Sequence, residues 1–513
     1  MSAASPLAPR RPRHQPAESA VPRMYKETLS KDLGKLAAVE HATQALSRRF
    51  SRIGWALLFL AITSNVAMIA TVGMDHQLFI VAAGVIGGYM ALNIGANDVA
   101  NNVGPAVGSR ALSMVGALII AAVFESLGAI LAGGDVVKTI SKGIVDPAQI
   151  SDPNIFIWAM MSALLAAALW VNLATWLSAP VSTTHAVVGG VMGAGISAAG
   201  FAVVDWGVMG AIAASWVISP LMGGVIAAAF LAFIKFNVIY RKDKIAGAKR
   251  WVPVLVSLMA GVFSAYLLMK GLKKIWHPGP ETVVAVGFGI YILTYAVVRP
   301  VIHRKAAGME NRNKSVRTLF TMPLICAAAL LSFAHGANDV ANAVGPLAAV
   351  VDTAATGSTH GKVGIPSWVL FVGAAGITMG LLLFGPKLIR TVGAEITKMN
   401  PMRAFCVALA AAITVIIASA LGLPVSSTHI AVGAVFGVGF FREWVTGRKS
   451  HINHGLFNKD TDQAPAGETE RTRRRKLVRR QHVMTIVAAW MITVPCAALL
   501  GAALFQLFAW TFS

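Results

Sequence analysis

Apolar stretches of bilayer length recur along almost the whole chain. They fall near residues 53–73, 78–104, 111–133, 155–177, 184–204, 206–234, 251–272, 281–302, 318–350, 367–385, 402–422, 426–441 and 484–511. A helix needs about 20 apolar residues to cross a hydrocarbon core. In lipid every backbone N–H and C=O must be satisfied within the segment, which makes helices the natural form. Composition agrees: 56% of the residues are hydrophobic and 13% are charged, whereas a soluble domain is about a quarter charged. A soluble enzyme is excluded. The expectation is an all-α polytopic membrane protein with about 12 to 13 membrane segments, some of them broken helices or re-entrant hairpins.

The formal charge of +22 does not point to nucleic acid, because Lys and Arg lie mostly in four blocks, at 10–52, 235–250, 299–317 and 442–480. These are short flanks and loops, the places where basic residues retain a segment on the cytoplasmic side. Putting each block inside gives one path, with the amino terminus inside and the carboxyl terminus outside. Residues 1–52 read as a disordered basic tail rather than a signal peptide, with an amphipathic helix from about Lys26 to Arg49. Residues 53–302 form a first half, 303–317 a cytoplasmic linker, and 318–513 a second half containing a basic loop at 442–482. Cys326, Cys406 and Cys496 each stand alone in an apolar stretch and suggest neither a metal site nor a disulfide framework.

The two halves repeat. GANDVAN-x-VGP recurs 241 residues on, from Gly95 to Gly336, and LSAPVSTTHAVVG (177–189) returns as LGLPVSSTHIAVG (421–433). On the path above the first GANDVAN segment runs inward and the second outward, so the repeats are expected to be inverted. That arrangement is a hallmark of alternating-access carriers, which place their site at the repeat interface.

Within GANDVAN, helical spacing puts Asn97, Asp98 and Asn101 on one face, and Asn338, Asp339 and Asn342 likewise. Carboxylate and amide oxygens suit small hard cations. An Asp at membrane depth costs about 3 kcal/mol or more, and a merely structural clamp could use Asn instead. Asn97, Asp98, Asn338 and Asp339 are therefore candidates for a coupling cation, joined by Glu125 in AAVFESLGA. In the second motif, Pro followed by hydroxyl residues marks a broken-helix amino terminus, where free N–H groups and hydroxyls favour an anion. Ser182, Thr183, Thr184, Ser426, Ser427 and Thr428, with Asn101 and Asn342, are the candidate anion ligands. Neither motif contains Lys or Arg, and the carboxylates are expected to have no paired base nearby. An oxyanion can then approach Asp98 and Asp339 only with cations or protons beside it, which implies symport. His185 and His429 lack the G-x-S-x-G elbow of a hydrolase and fit better as orienting or proton-relay groups.

These residues resemble the inorganic phosphate transporter family. The paired GANDVAN and P-V-S-[ST]-T-H motifs carry the likeness over roughly 78–442, helped by FESLGA and GGDVVKTISKGI. The resemblance implies about twelve helices in inverted repeats, often paired as a homodimer. It also implies uptake of inorganic phosphate driven by protons or sodium, with sodium at Asp98 and Asp339 in the latter case, and no other cofactor. The short linker 303–317 points to a bacterial inner-membrane protein. The span at 53–73 looks like an addition to the family core, and Ala408 stands where sodium-coupled members often carry Glu. Sulfate is the alternative substrate, and an anion channel the alternative mechanism.

Overall fold

The computed structural model describes residues 47, 50–150, 152–177, 179, 181–271, 276–359, 364–395, 399–456 and 480–512. The expected amphipathic helix before Arg49, most of the 1–52 tail, Pro180 and much of the 442–482 loop lie outside the described residues. Contacts divide the chain into Met1–Trp55 and Ala56–Ser513, and the second unit carries everything below.

The described chain is helical. In order the helices are α1 (Phe50–Ala70), α2 (Gln77–Gly108), α3 (Met114–Ala132), α4 (Gly134–Lys142), α5 (Pro153–Trp176), α6 (Thr183–Ala199), α7 (Trp206–Ile234), α8 (Lys244–Tyr266), α9 (Pro280–Lys305), α10 (Asn313–Leu319), α11 (Thr321–Asp339), α12 (Ala341–Thr356), α13 (Ser367–Leu383), α14 (Gly385–Glu395), α15 (Pro401–Ala420), α16 (Ser427–Leu456) and α17 (Arg480–Phe512). Short π turns, Lys235–Ile239 and Leu267–Gly271, prolong α7 and α8. Polar residues placed just before apolar runs start several of these helices. Ser113, Ser182, Asp205, Asp243 and Asn400 each accept a hydrogen bond from a first-turn N–H of the helix that follows.

Among the described residues, ten helical runs are long and apolar enough to cross a membrane. The sequence segments that do not qualify are α6 and α13, of 17 residues each, and α16, which carries Arg442, Glu443 and the basic run beyond them. Large apolar side chains such as Ile69, Val115, Leu221 and Leu293 are exposed on the outer helices, a surface that water would not tolerate but acyl chains would. By contrast α2, α5, α11, α12 and α15 are mostly buried.

The sequence repeat is also a repeat of packing. Helix α3 lies on α11 as α13 lies on α2; α4 packs on α12 as α14 packs on α2; α5 meets α2 as α15 meets α11; and α17 covers α6 as α16 covers α7. Motif glycines make some of the closest of these approaches. A Cβ at Gly95 would overlap the Ile377 carbonyl of α13, and one at Gly336 the Glu125 carbonyl of α3. Small residues thus let the motif helices touch backbone to backbone, the packing mode favoured in membranes.

The two GANDVAN helices are not identical. The first is continuous through α2, while the second is divided at Val340 between α11 and α12. Described non-helical residues, 179 and 181–182 in the first half and 421–426 in the second (the straps), lie between α5 or α15 and a new helix, α6 or α16.

Candidate functional site

The four motifs meet in the middle of the protein, each GANDVAN motif joined to the P-V-S motif of its own half and of the other. Asp98 is fully buried and accepts two hydroxyl hydrogen bonds: Thr183 Oγ1 donates to Oδ2 at 3.0 Å and Thr428 Oγ1 to Oδ1 at 3.1 Å. Asp339 accepts from Ser427 Oγ at 3.2 Å. Asn101 donates to Thr428 Oγ1 at 2.8 Å, and Asn342 donates to Thr184 Oγ1 at 3.1 Å and to Thr183 Oγ1 at 3.3 Å. These bonds come in repeat-related pairs, Thr183–Asp98 with Ser427–Asp339 and Asn101–Thr428 with Asn342–Thr184. The repeat therefore extends to hydrogen-bond detail.

Other candidates are positioned differently from the sequence expectation. Asn97 and Asn338 bond mainly to the straps and the helices before them, and Asn97 also reaches its neighbouring aspartate. Asn97 lies 3.0 Å from Thr175 Oγ1; with its amide turned to satisfy its neighbours it donates to the Val181 carbonyl (3.2 Å) and Asp98 Oδ1 (3.1 Å). Asn338 donates to Ser419 Oγ at 3.0 Å and the Leu423 carbonyl at 3.2 Å, and accepts from Val425 N–H. Ser182 and Ser426 are helix caps, accepting from His185 N–H (3.1 Å) and His429 N–H (3.3 Å). Thr184 also caps a strap carbonyl, that of Val425, at 3.0 Å. The two motif histidines pack against each other. Their rings meet edge to face with centroids 4.5 Å apart, His185 also packs on Trp216 at 3.8 Å, and neither His185 nitrogen has a hydrogen-bond partner.

One expectation fails outright: the carboxylates do have a basic neighbour. His335, the residue before the second GAND, is fully buried with Nε2 3.0 Å from Asp339 Oδ2 and 3.9 Å from Asp98 Oδ2. Its Nδ1 is 3.4 Å from Glu125 Oε2, and Glu125 Oε1 accepts from Asn102 at 2.7 Å. Glu125 is thus tied to the aspartates through His335. The sequence contained a sign of this. At the positions matching His335, Glu125 and Asn102 the other half has Ile94, Ile377 and Ala343, so the polar trio is a departure from an otherwise faithful repeat. The intervening pair that does match, Ser126 and Thr378, joins across the repeat at 2.7 Å.

Chemically the centre offers oxygens to a cation and hydroxyl or amide hydrogens to an anion. Ligand atoms of Asp98, His335 and Asp339 lie within 4.8 Å of one another. Asp339 Oδ1, Asn342 Oδ1 and Glu125 Oε2 are buried without a hydrogen-bond donor, which costs stability unless a cation or proton satisfies them. No Lys or Arg lies within ion-pair distance of Asp98 or Asp339 among the described residues.

A profile of the Phosphate transporter family matches residues 94–501. The chain belongs to that family. Similar curated relatives are the "Putative phosphate permease" of Helicobacter pylori strain J99, 47% identical over 92% of this chain and 98% of its own length, and one from Pyrococcus abyssi, 35% identical over 85% and 99%. A solved structure described as "The sodium-dependent phosphate transporter" superposes with a TM-score of 0.75 at 35% identity, covering 84% of this chain and 99% of that one. This member of the phosphate transporter family is therefore a multi-pass membrane protein of a transporter family, not of an enzyme family.

Proposed function

We propose that the protein is a secondary carrier that moves inorganic phosphate together with a cation, by alternating access of two inverted halves in a bacterial inner membrane. The observation that carries this reading is the coexistence of Asp98 and Asp339 with hydroxyl and amide donors from both halves in one buried space. Thr183, Thr184, Ser427, Thr428, Asn101 and Asn342 supply the phosphate donors, and Ser182 and Ser426 fix the helix ends that present them. Asp98, Asp339 and Glu125 take the cation, while Asn97 and Asn338 hold the straps in register with it. An anion brought beside these carboxylates is repelled by several kcal/mol at low dielectric unless positive charge arrives with it. Co-transport follows from that repulsion. The likeness to a sodium-dependent transporter supports sodium as the ion; Ala408 and the basic His335 leave the proton as its competitor.

Uptake of radiolabelled phosphate into vesicles, with a sodium gradient, a proton gradient or neither, tests the reading. Accumulation above equilibrium under one gradient is the expected result; equilibration alone would indicate a channel. Competition then fixes the substrate. Phosphate and arsenate carry a proton at neutral pH that Asp98 or Asp339 can accept, and sulfate carries none. A site built for a hydrogen bond rejects an analogue lacking it by a factor of about 10⁴. Arsenate should inhibit strongly and excess sulfate weakly, and equal inhibition would favour a sulfate permease.

A further inference from the structure

The buried site leaves one electrostatic difficulty unsolved. Asp98, Asp339 and Glu125 share one basic neighbour, His335, and the hydroxyl and amide donors are neutral, so three carboxylates against one imidazole oppose the entry of an anion from water. A cationic surface on the approach offsets such a barrier and raises the local anion concentration.

One cavity combines cationic groups with a direct mechanical link to the site. It measures about 340 Å³ and its polar lining is Asp135 and Lys138 of α4, Lys270 at the end of the π turn after α8, and His277. Lys270 Nζ donates to Asp135 Oδ2 at 2.8 Å and to the Ala420 carbonyl at 2.9 Å. Lys138 Nζ is 3.9 Å from the same carboxylate, with its side chain 64% exposed. Two ammonium groups and an imidazole therefore face one described carboxylate. Ala420 is the last residue of α15, and the strap from there to Val425 leads into Ser426, Ser427 and Thr428. Thr139 of α4 holds the same strap, donating to the Gly422 carbonyl at 2.7 Å.

We propose that this cavity is a receiving site for a phosphate group, held by Lys138 and Lys270 ahead of the buried site. The inference rests on the phosphate-transport reading above. An ammonium has three N–H donors, and Lys270 commits two of them, to Asp135 and to the Ala420 carbonyl. A phosphate oxygen can take the third, and a shift of Lys270 toward the anion then weakens its hold on Ala420, where the strap that carries the second hydroxyl motif begins. The same tetrahedral anion occurs free in solution and on lipid headgroups, and the experiment separates the two.

Lys138 is the residue to change, since its exposed side chain contributes little to folding. In vesicles of phosphatidylcholine alone, Lys138→Gln should raise the KM for phosphate about fivefold, the effect of one partly solvated charge contact. Lys138→Glu should raise it further, with kcat within about twofold of wild type in both, because the charge acts on capture. Lys270→Gln should raise KM and change kcat as well, through the strap. Wild-type protein without any phosphate uptake would refute the transport reading itself and is recognisable as such. The same variants are then assayed with phosphatidic acid added. A KM rise already present in phosphatidylcholine assigns the cavity to free phosphate. A rise seen only with phosphatidic acid, alongside stimulation of wild type by that lipid, assigns it to a headgroup. Unchanged KM for Lys138→Glu under both conditions overturns the proposal.

Discussion

At the scale of single residues, the centre is organised around carboxylates whose hydrogen-bond capacity is only partly filled. Asp98 has a hydroxyl donor on each oxygen, whereas Asp339 Oδ1 has none. Asp98→Asn and Asp339→Asn preserve shape while removing the charge that a co-transported cation balances, so each should abolish uptake with protein still present in the membrane. Uptake at wild-type level in either variant, measured at matched protein amounts, would contradict the cation role. His335 separates Glu125 from Asp339. His335→Ala removes the only basic group seen beside them among the described residues, and should shift the cation concentration for half-maximal uptake severalfold. An unchanged cation dependence would show that the ring merely fills space. The aspartates, hydroxyls and amides of this centre could be named from motif spacing alone. For His335, spacing shows only the approach to Asp339 four residues on; its contacts with Asp98 and Glu125 come from α2 and α3, and their convergence is set by packing.

At the scale of elements, the motif helices work because they approach one another without side chains between them. Gly336 lies against the Glu125 carbonyl, so any Cβ there must push α11 off α3. That shift would also separate His335 from Glu125, residues placed by those two helices. Overpacking a tight core costs about 1–3 kcal/mol or more. Gly336→Leu should lower the thermal unfolding midpoint of the detergent-solubilised protein and remove uptake; a midpoint within a degree of wild type would mean the interface is looser than the structure shows. The straps are the complementary device. Four successive carbonyls of the second strap, Gly422, Leu423, Pro424 and Val425, accept from Thr139, Asn338, Trp216 and Thr184 in turn. Non-helical backbone survives at membrane depth only where protein satisfies it. Sequence shows where such a break falls, through Pro and the cap, but not which distant side chains fill its hydrogen bonds.

At the scale of the whole molecule, orientation follows from charge outside the core. The end of α9, the short segment after it and the start of α10 together carry Arg304, Lys305, Arg312 and Lys314, and the positive-inside rule predicts that such a stretch stays in the cytoplasm. On that rule Trp276, one crossing earlier, is expected outside, and so is the carboxyl end of α17. Both Trp276 and Glu310 are exposed. Glu310→Cys should therefore resist a membrane-impermeant thiol reagent applied to intact cells, and Trp276→Cys should react, in a chain whose three native cysteines are replaced. The opposite pattern would invert the topology and with it the side on which the Lys138 cavity opens.

Sequence by itself determined the solvent, the element type and the duplication. Apolar length leaves the backbone in lipid no other choice than helix, and two long motifs recurring in order cannot arise by accident. It also determined the chemistry on offer, since Asp, Asn, Ser and Thr in an apolar run are costly unless something binds them. Tertiary structure decided which of those groups meet. Thr428 reaches Asp98 across 330 residues and His335 joins three carboxylates from three helices. Helical periodicity describes one helix at a time, whereas such contacts depend on how closely neighbouring helices approach and how each is rotated against the next.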